Sequence, residues 1–242
     1  MNNYKSLSPY KTIGILGGMG PSASLGLYQK IIKIAQKKYK SEQDIDYPPM
    51  IIYNLPLVGF DETGVVKSDI VKEQLIAGVK KLEMAGSDFI IIACNTVHSF
   101  YNGMQLAINI PIINMINAVV RQVKNKGYSA VGLLTSESTN KLQLYNNALR
   151  DKGIKSLSVS AKGQKKINKV ILRVMSGNQN KQDVRVLGAI IERLKDKGAK
   201  GVVFGCTEIP LAITQKNVDI EVFDAVEIIA SLALEKARKS KN

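Results

Sequence analysis

The chain holds two cysteines, and each stands where an apolar run gives way to small polar residues: FIIIACNT at 89–96 and GVVFGCTE at 201–208. The wider segments AGSDFIIIACNT (85–96) and KGAKGVVFGCTE (197–208) align without gaps, so one offset of 112 residues relates Cys94 to Cys206 and Gly86 to Gly198. Upstream of each lies another similar run, IGILGG at 13–18 and VGLLTS at 131–136. Two copies of one α/β unit, each with a cysteine at a strand end, account for the echo; chance recurrence of strand and glycine is the competing account. A lone cysteine is usually a small buried hydrophobe, but two at matching strand ends point to chemistry. In open parallel sheets ligands sit beyond the carboxyl ends of the strands. If the two units face each other, the thiols flank whatever binds between them. Inverting a stereocentre needs a base on one face and an acid on the other, and a thiolate and a thiol can exchange those roles. The thiolate must be stabilised, because an ordinary cysteine titrates near pH ~8.5. Asn95, Thr96, Thr207 and the helix N-termini after the strands can supply hydrogen bonds.

Three further features bear on that site. Glu208 follows Cys206 by two positions, where it can hold a proton, bind an ammonium group or cap the next helix. His98 follows Cys94 by four, one helical turn on, and suits an orienting or capping role rather than proton transfer. The turn GGMGPSA (17–23) follows a strand and opens a helix, so its N–H groups can hold an anion. It also reads G-x-G-x-x-A through Gly18, Gly20 and Ala23, a variant of the dinucleotide fingerprint. Pro21 interrupts that pattern, and the next strand ends at Asn54 rather than at an acid, so a substrate carboxylate is the expected anion. With one histidine, the two cysteines cannot complete a four-ligand zinc site, and a reducing cytoplasm argues against a permanent disulfide. A transient regulatory disulfide stays open.

The elements that must position these residues follow from hydropathy. Apolar, β-branched runs at 13–16, 50–53, 89–93, 111–113, 130–134, 157–159, 202–204 and 220–223 read as buried strands. Between them, 22–39, 65–85, 114–126, 139–152, 182–197 and 225–238 carry apolar residues at helical spacing. The fold class is therefore α/β. Its 242 residues suffice for one large core or two lobes. A hydrophobic content of 45% with 22% charged residues is that of a folded chain rather than a disordered one.

The formal charge of +14 invites a nucleic-acid reading. Only six of the 34 basic residues are arginine, however, the residue favoured for bidentate recognition. The lysines are spread over helix faces (Lys30, Lys33, Lys37, Lys38, Lys40) and a tail (Lys236, Lys239, Lys241), as on a solvated surface. No nucleic-acid partner is expected. The start, MNNYKSLSPYKTIGILGGMG, has a short apolar stretch broken by glycine, unlike a secretory leader, and no run approaches a membrane span. A cytoplasmic protein without membrane attachment is expected.

The blocks IGILGGMGPSA (13–23), ACNTVH (93–98), IPIINMI (110–116) and GCTEI (205–209) resemble the aspartate/glutamate racemase family, the cofactor-independent two-cysteine amino-acid racemases, in the family's order over nearly the whole chain. The resemblance implies two pseudo-symmetric three-layer α/β/α lobes with mainly parallel sheets and the active site between them: 1–115 completed by 213–242, and 116–212. It implies Cys94 and Cys206 as the catalytic acid/base pair acting on opposite faces of the α-carbon. It implies Asn95, Thr96 and Thr207 as contacts to the substrate carboxylate or ammonium, Gly18 and Met19 lining the cleft through their backbone, Thr135 in the equivalent turn of the second lobe, and Glu208 as an auxiliary acid. It also implies a small amino-acid substrate, no cofactor or metal, and a homodimer.

Two departures concern the substrate side chain. Aspartate-specific members carry an arginine in the loop after the second strand and a lysine before a Gly-Asn of the second lobe. Here the loop LPLVGFDETG (55–64) has no basic residue and offers Asp61, while RVMSGN (173–178) has Met175 at the lysine position, with Arg173 and Lys181 the nearest cations. A carboxylate facing another is repelled, so Asp61 is expected to select a neutral or basic side chain or to face solvent. Aspartate remains possible. Other readings left open are a related carbanion enzyme, such as a decarboxylase or cis-trans isomerase, and a non-catalytic nucleotide- or metabolite-binding protein using the 17–20 turn.

Overall fold

The apolar runs form two parallel sheets with a cysteine just past the end of one strand in each. The computed structural model describes residues 9–61, 64–65 and 67–238, with only the backbone at 64 and 65. Residues 1–8 of the start, Lys239 and Lys241 of the basic tail, Glu62 and Thr63 of the 55–64 loop, and Val66 lie outside the described residues.

In chain order the elements are β1 (Ile13–Gly17), α1 (Pro21–Tyr39), β2 (Met50–Asn54), the short hairpin strands β3 (Phe60–Asp61) and β4 (Gly64–Val65), α2 (Ser68–Met84), β5 (Phe89–Ile92), α3 (Tyr101–Leu106) and α4 (Met115–Asn125). The second half follows with β6 (Ala130–Thr135), α5 (Glu137–Lys141), α6 (Leu144–Arg150), β7 (Lys155–Leu157), α7 (Ala161–Met175), α8 (Lys181–Asp196), β8 (Gly201–Gly205), α9 (Ile209–Ala212), β9 (Glu221–Asp224) and α10 (Ala225–Arg238).

The sheets have the orders β2-β1-β5 and β7-β6-β8-β9, with every pair parallel. The echo in the sequence is thus an echo in topology. The first strand of each half is central, the second lies to one side and the cysteine-bearing strand to the other. Beyond β8 lies β9; beyond β5 the corresponding segment makes a single parallel bridge, Ile90 to Ile112. That bridge is all that forms of the strand expected at 111–113, because Pro111 has no N–H to donate and Asn114 already caps α4 through its side chain.

Strand alternation sorts the core into three layers. Ile13 and Ile15 of β1, with Val131, Leu133 and Val203 of the second sheet, share one cluster with α1, α4, α6 and α10. On the far face of the first sheet Leu16, Ile90 and Ile92 pack against Val71, Leu75 and Val79 of α2. On the far face of the second, Leu134, Val202 and Phe204 meet Ile167, Ile171, Leu187 and Ile191 of α7 and α8. The central layer therefore belongs to both sheets. Its helices cross over: α4 packs on α6 and β9, while α10 packs on α1. Within the described part of 213–242, β9 extends the second sheet and α10 packs on α1 of the first half.

Other departures have local causes. The helix expected over 139–152 starts earlier, because the Ser136 side chain accepts from the Thr139 N–H, and it breaks at Gln143, which takes φ 52°. Helix α7, absent from the expected set, has Ile167, Val170, Ile171 and Val174 on one face and a Ser160 cap, among lysines that dilute its hydropathy. The strand expected at 157–159 forms two residues earlier, at 155–157, with Ser160 reserved for that cap.

Candidate active site

Cys94 lies two residues beyond β5, and Cys206 immediately follows β8. Both are buried. Together with Met19, Asn95, Thr96, Thr207 and Glu208 they line one cavity between the halves. Phe60, Ser136 and Thr139, not singled out in the sequence, complete its wall. The free space is about 10 Å³, room for roughly one water molecule. The cleft is closed: the Thr96 hydroxyl shares hydrogen bonds with those of Thr139 (2.8 Å) and Ser136 (3.2 Å) across the halves.

Glu208 is almost wholly buried at the wall. Its Oε2 accepts from the Cys206 thiol at 3.0 Å and from the Thr207 hydroxyl at 3.1 Å. Its Oε1 makes no hydrogen bond of full geometry, though it faces the Gly20 backbone. Burial pushes the carboxyl above the ordinary glutamate range, while the Cys206 and Thr207 side chains and the backbone at Gly20 pull it back. Asn95 is its counterpart in the first half. Its Oδ1 accepts from the Tyr145 hydroxyl at 2.6 Å, and its Nδ2 has no partner. The closed wall thus holds one buried acceptor and one buried donor unmatched, a situation that ordinarily costs about 1–3 kcal/mol each and calls for an explanation.

His98 holds the Cys94 turn in place. Its Nδ1–H donates to the Cys94 carbonyl at 2.8 Å, and its Nε2 accepts the Met115 N–H at 3.1 Å, at the start of α4. The ring is therefore neutral, and burial pushes its pKa down to about 4. The unfolded chain takes up this proton near pH ~6.5, so the stabilisation is complete above that value and is lost as pH falls towards 4. Since this is the only histidine, the effect isolates cleanly. Between pH 7 and pH 5, urea unfolding of the parent should lose about 2 kcal/mol more than that of His98→Asn; equal losses would refute the neutral ring.

Three expected site residues stand elsewhere. Asp61 is exposed on β3, where alternation turns Phe60 toward the cavity instead. Thr135 is buried at the end of β6, its carbonyl accepting from Gln164 Nε2, and the next residue, Ser136, reaches the cavity. Gly18 is not on the wall. At φ 98° its N–H donates to the Ser24 hydroxyl, and a Cβ there would lie 2.4 Å from the Leu55 carbonyl oxygen, so only glycine fits. The turn that was expected to hold a substrate anion instead faces the protein's own carboxylate: a Cβ on Gly20 would lie 3.4 Å from Glu208 Oε1.

The cations near RVMSGN are also placed. Arg173 binds the fully buried Asp183 through both Nε and Nη2, which leaves its fork engaged. Lys181 is exposed at the start of α8 and absent from the cavity wall. Met175, half-exposed at the end of α7, brings its Cε within 3.8 Å of where a Gly20 Cβ would stand.

Known proteins are similar to this chain in sequence and in fold. The sequence profile of the Asp/Glu/hydantoin racemase family matches residues 16–233. A broad specificity amino-acid racemase, RacX of Bacillus subtilis, is 28% identical over 218 residues, covering 90% of this chain and 94% of its own. Among solved structures, an aspartate racemase homologue from Pyrococcus horikoshii is 32% identical with a TM-score of 0.78, over 93% of this chain and 98% of that one. The aspartate racemase of Picrophilus torridus is 26% identical with a TM-score of 0.81, over 93% of each chain.

Proposed function

We propose a two-thiol mechanism and a neutral amino-acid substrate for this chain, which belongs to the Asp/Glu/hydantoin racemase family. It is a racemase, and so an isomerase acting on a small amino acid. The observation that carries the proposal is the pairing of Cys94 and Cys206 around a wall with one unmatched donor, Asn95 Nδ2, and one unmatched acceptor, Glu208 Oε1. A zwitterionic amino acid supplies the complement of both: its carboxylate accepts from Asn95 and its ammonium donates to Glu208.

In the forward direction the Cys94 thiolate removes the α-proton and becomes a thiol, leaving the electron pair on the α-carbon. The Cys206 thiol delivers its proton to the opposite face and becomes a thiolate. The reverse reaction exchanges the roles, so both proton transfers are served by the chain's own thiols without a cofactor. The assignment of thiolate and thiol to a given enantiomer is arbitrary in this description; the pairing is not.

The substrate side chain follows from what surrounds the site. Arg173 is held by Asp183, no lysine or arginine among the described residues lines the cavity, and Met19, Phe60 and Met175 offer apolar surface. An acidic side chain would be left without a counter-ion. Asp61, which suggested a basic one, is not on the wall. A relative described as broad in specificity fits a site without a charge filter. The resemblance supports a cytoplasmic homodimer as its working form.

The test is a panel of L-amino acids in deuterated water with no added cofactor, read by α-deuterium incorporation and chiral separation. Neutral amino acids such as methionine should exchange at least about tenfold faster than aspartate, given that a paired charge contributes about 1.5–3 kcal/mol. Aspartate as the fastest substrate would overturn the side-chain assignment, and no exchange with any member would overturn the activity.

A further inference from the structure

We propose that Tyr145 is a positioning residue for the substrate carboxylate, acting through the carboxamide of Asn95. The inference rests on the reading of Asn95 as the carboxylate's donor. A carboxamide has two ends of nearly equal size, one accepting and one donating, and only its partners decide which end faces a site. Here the decision comes from the other half of the molecule. Tyr145, on α6, is fully buried, and its hydroxyl donates to Asn95 Oδ1 at 2.6 Å. With the oxygen so held, Nδ2 is left as the end without a partner on a cavity-lining residue.

Two features make this a built arrangement. The ring is admitted by Gly205: a Cβ there would lie 2.6 Å from Tyr145 Cε2 and 2.9 Å from Thr135 Cγ2. The residue that ends β8 and precedes Cys206 therefore also makes room for the tyrosine. Burial, with the nearby charges of Cys206 and Asp224, also raises the phenol's pKa, so the hydroxyl remains a donor at any pH where the enzyme works.

Without the hydroxyl, nothing favours the donating end, and a flipped Asn95 presents an oxygen to the substrate carboxylate. Binding suffers in ground and transition state alike, which raises KM and leaves kcat nearly unchanged. The test compares Tyr145→Phe, Asn95→Ala and the double variant, using the fastest amino acid of the panel above, with thermal unfolding as a control.

Tyr145→Phe should fold, raise KM about tenfold and keep kcat within about threefold. Asn95→Ala should raise KM further, and adding Tyr145→Phe to it should change KM less than twofold, because the tyrosine acts only through the missing carboxamide. The proposal is overturned if Tyr145→Phe leaves KM within twofold of the parent, if its effect is equally large in the Asn95→Ala background, or if it fails to fold, which would assign Tyr145 to stability. If Asn95→Ala itself leaves KM unchanged, the carboxylate reading of Asn95 fails, a result distinct from failure of the tyrosine's role alone.

Discussion

Cys94→Ala and Cys206→Ala should each lower racemisation by about 10³-fold or more in both directions while leaving the fold intact. The size follows from what a positioned proton-transfer group contributes, about 10²–10⁴-fold, and from the loss being complete in each case: inversion needs a group on either face. The fold should survive because the change removes one sulfur from a side chain at the edge of a cavity. The two variants should differ in a second respect. The thiol that remains can still remove and return a proton on its own face, so each variant should exchange the α-hydrogen of one enantiomer without inverting it, and the favoured enantiomer should be opposite in the two. Chiral chromatography with proton NMR reads both quantities. Inversion within tenfold of the parent in either variant would remove that thiol from the mechanism.

Glu208→Gln should have the next largest effect, a fall of about 10–150-fold in kcat/KM, the range of a charge-assisted hydrogen bond worth about 1.5–3 kcal/mol. The substitution keeps an oxygen able to accept from Cys206 and Thr207 but removes the charge offered to the substrate ammonium. The pH dependence carries the same signature. Burial raises the Glu208 pKa above that of an ordinary glutamate, so the acid limb of kcat/KM should have its midpoint above pH ~4.5, with activity lost as the carboxylate is protonated. In Glu208→Gln that limb should disappear. A parent-like kcat/KM in the glutamine variant would show that Glu208 merely braces Cys206 and the following turn.

The parts of the site legible in the sequence are those carried by strand ends. Cys94, Asn95 and Thr96, and Cys206, Thr207 and Glu208, each follow a short apolar run directly, and the repeat places both sets at one end of a sheet. Residues from neighbouring elements carry a fainter signal. Ser136 and Thr139 reach the cavity as the cap and first turn of a five-residue helix, and in sequence they are only polar residues after a strand. The Ser-x-x-Thr cap was the one available signal. Tyr145 carries no mark of a role in its own helical segment, because its partner Asn95 lies 50 residues away in the other half. Phe60 and Asp61 show the limit most sharply: in a two-residue strand the choice of which side chain faces inward depends on pairing, and of the roles expected for Asp61 its exposure matches the one that faces solvent. The fold class follows from buried strand runs, whereas the grouping of α4 with the second half and α10 with the first comes only with the family resemblance, since helices with one apolar stripe carry no mark of which sheet they cover.

The central claim is that two thiols on opposite faces share the proton transfers, and isotope partition in the first turnovers addresses it most directly. A single enantiomer bearing hydrogen at the α-carbon is incubated with the parent enzyme in deuterated water and sampled before about a tenth has converted, with isotope content measured separately in the two enantiomers. The two-thiol account predicts that the newly formed enantiomer carries deuterium throughout, because its proton comes from a second, solvent-exchanged thiol, while the unreacted enantiomer retains hydrogen. Hydrogen carried over into the product, or deuterium appearing in the recovered starting enantiomer as fast as product forms, would indicate one base serving both faces and would contradict the account.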